Sequence, residues 1–234
     1  MPRSHDRRQS QRMKAVLFDL DGTLANTLDD LADSMNWCLC SLGFQEHPTD
    51  SYRYFIGDGI TMLCRRVLPA GAEGSAAALE DMMRQRYSGH SLDRTRPYPG
   101  VPELLAALAA RGIPFCVFSN KPHGETVKIA RALFPGIEFA GVQGQQPGLP
   151  RKPDPAGALL AAQSIGIEPA DFLYVGDTAT DMQTALAAGM TPVGVLWGFR
   201  DRAELSAAGA AHIVSRPDEI LEILDGGRST VPAS

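Results

Sequence analysis

The sequence predicts an α/β protein built on a doubly wound parallel sheet, with a helical segment inserted after its first strand. Short, continuously apolar runs such as Ala15–Phe18, Phe115–Phe118 and Phe172–Val175 read as strands covered on both faces, since a half-exposed strand alternates instead. From residue 97 onward such runs alternate with segments of helical spacing, the pattern of a parallel sheet with crossover helices. Residues 26–96 separate the first strand from the next such unit. That is far more than a connection needs, and the spacing within it is helical.

A chain of 234 residues holds ample core in one large or two modest domains. The hydrophobic fraction of 44% and charged fraction of 21% are ordinary for a soluble globular protein. No apolar run approaches the roughly 18 residues of a bilayer crossing. A net charge of −5 leaves no basic footprint for nucleic acid. It also means that an anionic substrate would need locally placed positive charge. Cys38, Cys40, Cys64 and Cys116 lack C-x-x-C spacing and read as buried free thiols of a reducing cytoplasm. The histidines are scattered, which argues against a histidine-based metal site.

Residues 1–12 carry Arg3, Arg7, Arg8 and Arg12 but no apolar stretch, so they read as a disordered basic tail rather than a secretory signal. The first strand follows at Lys14–Asp19. Thr27 suits the N-cap of a helix whose first turn holds Asp29 and Asp30, and Gly43 stops it. Leu28, Leu31, Met35, Leu39 and Leu42 give that helix its apolar face. Further helices are expected over 49–55, 59–68 and 75–90, with Met35, Trp37 and Met62 as packing residues. Pro97, Pro99 and Pro102 mark a rigid return into a helix over 101–111. Strands are then expected at 114–119, 137–142, 171–176, 191–196 and 212–214. The intervening helices fall at 123–133, 155–165, 179–188, 201–208 and 217–224. The organisation so read is a core of 13–25 and 97–224, a helical cap of 26–96, hinges near 24–27 and 94–99, and a flexible tail of 225–234.

Ligands of an open α/β sheet bind beyond the carboxyl ends of its strands, and the chemically suggestive residues fall there. Asp19 and Asp21 lie two apart in extended chain and address one volume. Their repulsion is relieved by a cation or a shared proton, which suggests Mg²⁺ and an acid held protonated. Ser119-Asn120-Lys121 closes a second strand, Gly176-Asp177 with Asp181 a third, and Arg151-Lys152-Pro153 precedes a helix. Together they suit phosphoryl transfer, in which a dianionic phosphate must be screened before a carboxylate attacks it. Asp19 would be the nucleophile and Asp21 the acid and then the base. Asp19 and Asp177, with the backbone carbonyl of Asp21, would hold Mg²⁺. Lys152 and the Ser119 hydroxyl would bind phosphate oxygens, and Asp181 would steer Lys152 or a metal-bound water.

These segments resemble, in order, the four motifs of the haloacid-dehalogenase superfamily of hydrolases. They are Asp19-Leu20-Asp21-Gly22-Thr23, Ser119-Asn120-Lys121, Lys152-Pro153, and Gly176-Asp177 with Asp181, and the likeness spans residues 14–224. The resemblance implies a Rossmann-like core with a helical cap of the type inserted after the first strand. It implies Asp19 as nucleophile, Asp21 as acid and base, Ser119 and Lys152 as phosphate binders, and Mg²⁺ at Asp19, Asp21 and Asp177 with Asp181 in support. Asp21 places the chain with the phosphatases rather than the dehalogenases.

Within the superfamily the chain is most similar to phosphoglycolate phosphatases. Phe55 to Leu63 and then Arg65-Arg66 resemble the glycine-rich turn and arginine-ended helix of their cap. Gly57 would then approach the site closely and Arg66 would meet the substrate carboxylate, with Thr23 and Asn120 also binding substrate. Asn26-Thr27 departs from the Asp-Ser often found there. The implied partner is a small phosphorylated molecule, without nucleic acid or membrane, for a cytoplasmic monomer or homodimer. Rival readings are a pyrophosphatase, nucleotidase or sugar-phosphate phosphatase of the same build. From other classes come a phospho-accepting receiver and a non-catalytic phosphate-binding module.

Overall fold

The computed structural model describes residues 14–226; the tail expected at 1–12, and all but the first two residues of the tail expected at 225–234, lie outside the described residues. The chain opens with β1 (Ala15–Phe18) and β2 (Ala25–Asn26), then passes through the helices α1 (Leu28–Ser41), α2 (Tyr52–Phe55), α3 (Ile60–Val67) and α4 (Ala76–His90). It returns through β3 (Arg96–Pro97) into α5 (Val101–Ala110), β4 (Phe115–Pro122), α6 (His123–Leu133), β5 (Gly141–Gln145) and α7 (Ala156–Ile165). The remainder is β6 (Phe172–Gly176), α8 (Ala179–Ala188), β7 (Thr191–Val195), α9 (Arg202–Ala207), β8 (His212–Val214) and α10 (Glu219–Leu224).

Six strands form one parallel sheet in the order β5-β4-β1-β6-β7-β8. Successive side chains of a strand point to opposite faces, so β1 feeds two cores. Val16 and Phe18 pack with Leu104, Leu105 and Leu108 of α5 and Ile220 of α10. Ala15 and Leu17 pack with Ala158 and Ala162 of α7 and Ala185 of α8. This double coverage is why the strand sequences show no polar alternation.

The inserted helices have a core of their own. Leu28, Leu31, Met35 and Leu39 of α1 meet Tyr52, Leu63, Leu79 and Met83. The insertion leaves and rejoins the sheet through a two-residue antiparallel ribbon, Ala25 opposite Pro97 and Asn26 opposite Arg96. Beside it, the buried carboxylate of Asp30 accepts from the backbone N–H groups of Arg94 and Thr95, each at 2.9 Å, and from the Thr95 hydroxyl at 2.7 Å. Those bonds pin the first helix of the insertion to the returning chain.

Several expectations need correction. The strand expected at 137–142 is Gly141–Gln145; Ile137 and Phe139 are apolar because they pack onto the core, not because they pair. β4 runs three residues past Ser119, to Pro122. Thr27 precedes α1, but its hydroxyl donates to Asp21 at 2.7 Å and makes no cap bond. Cys40 is exposed, unlike the other three cysteines, and all four are free. Trp37 is 47% exposed and lies under the Arg86 guanidinium rather than in a core. No helix of the described residues is long and apolar enough to cross a membrane.

Candidate active site

Asp19 is the first residue beyond β1, and its N–H still donates to Val175 of β6 at 2.9 Å. Its Oδ1 accepts from the Leu20 N–H at 2.7 Å and lies 2.9 Å from Lys152 Nζ. Its Oδ2 has no hydrogen-bond partner among the described residues. The Lys152 ammonium is also 2.7 Å from Asp181 Oδ1. Burial alone would discharge this lysine, but Asp181 and Asp19 outweigh it and keep it charged.

Asn120 fixes the lysine's backbone. It accepts from the Lys152 N–H at 2.8 Å and donates to the Lys152 carbonyl at 3.2 Å. The same amide donates to the Gly57 carbonyl of the insertion at 3.1 Å. Asp181, in the first turn of α8, uses Oδ2 to accept from the N–H and hydroxyl of Thr178 at 3.1 and 2.7 Å. It therefore caps its own helix and orients Lys152 at once.

Asp177 follows β6 and is fully buried. It accepts from the Thr23 hydroxyl at 3.1 Å and the Phe199 N–H at 2.8 Å. Its carboxylate is wedged between two glycines: a Cβ at Gly22 (φ +82°) would fall 2.1 Å from Oδ2, and one at Gly198 2.3 Å from the Asp177 Cβ. No larger residue fits either place without displacing the acid.

Asp19, Asp177 and Asp181 each offer an oxygen within 4.8 Å of the others. Three buried acids face one ammonium, and the energetic consequence is visible. Burial pushes Asp19 up to about 7, with Lys152 opposing and Asp181 and Asp21 reinforcing. Burial, then Asp181 and Asp19, hold Asp177 well above the carboxylate range. A hard divalent cation fits this all-oxygen, over-acidic cluster and would remove the need for protons. The third acid of the group is Asp181 rather than Asp21. The Asp21 carboxylate is instead gripped by Lys121 Nζ at 2.9 and 3.0 Å.

A cavity of about 280 Å³ opens on Asp19 and Asp21, while Asp177, Asp181 and Lys152 do not line it. Asp19, Asp21, Ser119 and Lys121 line its sheet side; Leu31, Leu63, Met83 and Tyr87 line its helical side, and Gly57 reaches its wall. Thr23 does not line it, being bound to Asp177. Nor does Arg66, which donates to the Phe55 carbonyl at 3.1 Å and pairs with Asp58. Asp58 in turn accepts from Thr180 of α8 at 2.8 Å. The arginine thus belongs to a tie between the insertion and the sheet.

Two features escape the sequence reading. One is Lys121, which its neighbours along the chain mark only as the last residue of Ser119-Asn120-Lys121. The other is Trp197-Gly198-Phe199, which follows β7 and closes over Asp177, with the Trp197 indole donating to the Thr23 carbonyl at 2.9 Å. The rule that polar chemistry gathers at strand ends applies equally to β7 and would have found the second.

The model of the haloacid dehalogenase-like hydrolases matches residues 16–195. The chain belongs to that family. Among its relatives are proteins named phosphoglycolate phosphatase. One from Rhodospirillum rubrum is 36% identical over 212 residues, covering 86% of each chain. One from Neisseria gonorrhoeae is 34% identical over 220 residues, covering 92% of this chain and 91% of the other. A crystal structure from Lactobacillus delbrueckii subsp. bulgaricus, itself provisionally assigned as a phosphoglycolate phosphatase, superposes with a TM-score of 0.86 at 26% identity. It covers 91% of this chain and 98% of its own.

Proposed function

We propose that this hydrolase is a Mg²⁺-dependent phosphatase that cleaves a small phosphate monoester through an aspartyl phosphate on Asp19. The substrate is 2-phosphoglycolate, and the products are glycolate and phosphate. The observation that carries this reading is the division of labour within Asp19. Leu20 and Lys152 anchor Oδ1, while Oδ2 is left without a partner among the described residues, beside the cavity. The names of the relatives support the substrate.

Oδ2 attacks phosphorus, forming the Asp19–phosphorus bond as the bond to the leaving alcohol breaks. Asp21, on the same cavity wall, gives its proton to the departing oxygen. It then takes one from water, whose oxygen attacks phosphorus and frees the Asp19 carboxylate. The Ser119 hydroxyl donates to a phosphoryl oxygen, and Lys152 keeps Asp19 oriented while offsetting negative charge. Asp19, Asp177 and the Asp21 main-chain carbonyl, with Asp181 beside them, would hold Mg²⁺. When bound, it screens the phosphate from the attacking carboxylate.

In this reading the insertion is a cap, its apolar wall excludes bulk water, and the ribbon at residues 25–26 and 96–97 is its hinge. Four unpaired thiols suit a reducing cytoplasm.

The test is phosphate release from 2-phosphoglycolate and 4-nitrophenyl phosphate with Mg²⁺, which Asp19→Asn should abolish. Faster turnover of pyrophosphate, nucleotides or sugar phosphates would move the substrate assignment. A persistent aspartyl phosphate without turnover would replace the enzyme with a receiver.

A further inference from the structure

We propose that a second cavity adjoining the first is an anion subsite, which holds the charged far end of the substrate's leaving group. The proposal rests on the phosphatase reading and names its substrate class: monoesters whose alcohol portion carries a second oxyanion, a carboxylate or a phosphate.

This second cavity, of about 310 Å³, is walled by Arg84, Arg151, Gln145 and Gln146, and shares Asn120 and Pro122 with the catalytic cavity. Arg84 lines both. Among the described residues no carboxylate lines the second cavity, whereas Asp19, Asp21 and Glu125 line the first. The acidic groups thus lie on the first cavity, and the two arginines meet on the second, which shares part of its wall with the first. A chain of net charge −5 recruits an anion only through such local concentration.

The two guanidinium groups are held but not saturated: Glu80 offsets part of their charge, ion-paired with Arg84 and attracted by Arg151 as well. Arg84, on α4, directs Nε and Nη2 to a single oxygen of Glu80, one turn earlier. Its Nη1 has no protein partner among the described residues. Arg151, from the loop before α7, donates through Nη2 to Thr61 of α3 at 3.0 Å. No carboxylate lies within 4.0 Å of its nitrogens among the described residues, and its guanidinium packs beside Gly59. One arginine comes from the insertion and one from the sheet domain, so a bound oxyanion would bridge the two.

Guanidinium forks match planar carboxylates and phosphates, and the glutamine amides add neutral donors. An ester with an uncharged tail would leave both arginines without a ligand. Arg66, the arginine that the sequence nominated for this task, lines neither cavity.

The experiment is calorimetric binding of unhydrolysable probes to the full chain with Mg²⁺: phosphonoacetate, propane-1,3-bisphosphonate and ethylphosphonate. The charged-tail probes should bind roughly 10- to 100-fold more tightly than ethylphosphonate, the gain of one or two charge-assisted hydrogen bonds. The Arg84→Gln, Arg151→Gln double variant should lose that preference, and the corresponding double lysine variant should keep part of it. Preference for phosphonoacetate alone assigns a carboxylate tail; preference for the bisphosphonate assigns a phosphate. The subsite is overturned if the wild type shows no preference, or if the double glutamine variant retains it. Hydrolysis of 4-nitrophenyl phosphate reports on the underlying reading separately. Turnover without an arginine-dependent preference sinks only the subsite, and the preference without turnover sinks only the phosphatase.

Discussion

The ammonium of Lys121 lies 2.9 and 3.0 Å from the two carboxylate oxygens of Asp21, and 4.6 Å from the centre of the Tyr87 ring on α4. Burial works against this charge, but Asp21 foremost raises the lysine's pKa above its usual value. The pair is nearly dry, with side-chain exposures of 3% and 13%, so neither partner has water as a ready substitute.

Lys121→Met should therefore release the proposed acid from its position. The expected result is a kcat lowered roughly 10- to 100-fold, up to the lower end of what general acid catalysis contributes, with a smaller change in KM. Lys121→Arg should recover part of the loss. Steady-state kinetics on 2-phosphoglycolate and 4-nitrophenyl phosphate measure it, and an unchanged kcat would remove Lys121 from any positioning role.

Asp177→Asn should uncouple the protein from Mg²⁺. A ligand present at 100 times its Kd stabilises the folded state by about 2.7 kcal/mol. The wild-type melting temperature should rise accordingly when Mg²⁺ is added, and the variant's should not. An equal rise in both would place the ion elsewhere.

Arg66→Ala should weaken the tie through Asp58 to Thr180. Burial pushes the Asp58 carboxyl up, but the hydrogen bonds from Arg66 and Thr180 outweigh it and hold the acid below its usual value. The pair is about 30% exposed on each side, so its loss should cost about 1 kcal/mol in denaturant unfolding. Turnover of carboxylate-bearing and neutral esters should fall together. A selective loss for the carboxylate-bearing ester would restore Arg66 as a substrate ligand.

His212 supplies a pH dependence remote from the site. It lies on the edge strand β8, half-buried, with its Nδ1 unpartnered among the described residues. Burial lowers its pKa from 6.5, so just below that value the unfolded chain binds more protons than the folded one. Stability is then complete above 6.5 and declines as pH falls through the lowered folded value. The wild type should lose more melting temperature than His212→Gln between pH 7 and pH 5. Parallel curves would show that the imidazole titrates alike in both states.

What the sequence made legible was whatever depends on neighbours along the chain. The runs Ala15–Phe18 and Phe172–Val175 announced strands, because a residue buried on either face must be apolar. The same local logic located the acids at the strand ends. It missed what depends on partners distant along the chain. Asp177 is confined by Gly22 and Gly198, and nothing local to either glycine reveals that contact. Lys121 reaches Asp21 only because β4 continues past Ser119 alongside β5, through a register irregularity between Phe118 and Pro122. Arg66 on α3 and Arg84 on α4 are both arginines on helices of the insertion, and only the packing separates a latch from a cavity wall.

The narrow ribbon pairing residues 25–26 with 96–97 has an evolutionary corollary. A module whose entry and exit are adjacent can be exchanged for one of another size without altering the spacing of the strands beneath. Recombination at those two points would graft a foreign roof onto an unchanged floor of acids. Diversity among descendants of such a chain should therefore accumulate in the transplanted part, while the reaction itself is inherited intact.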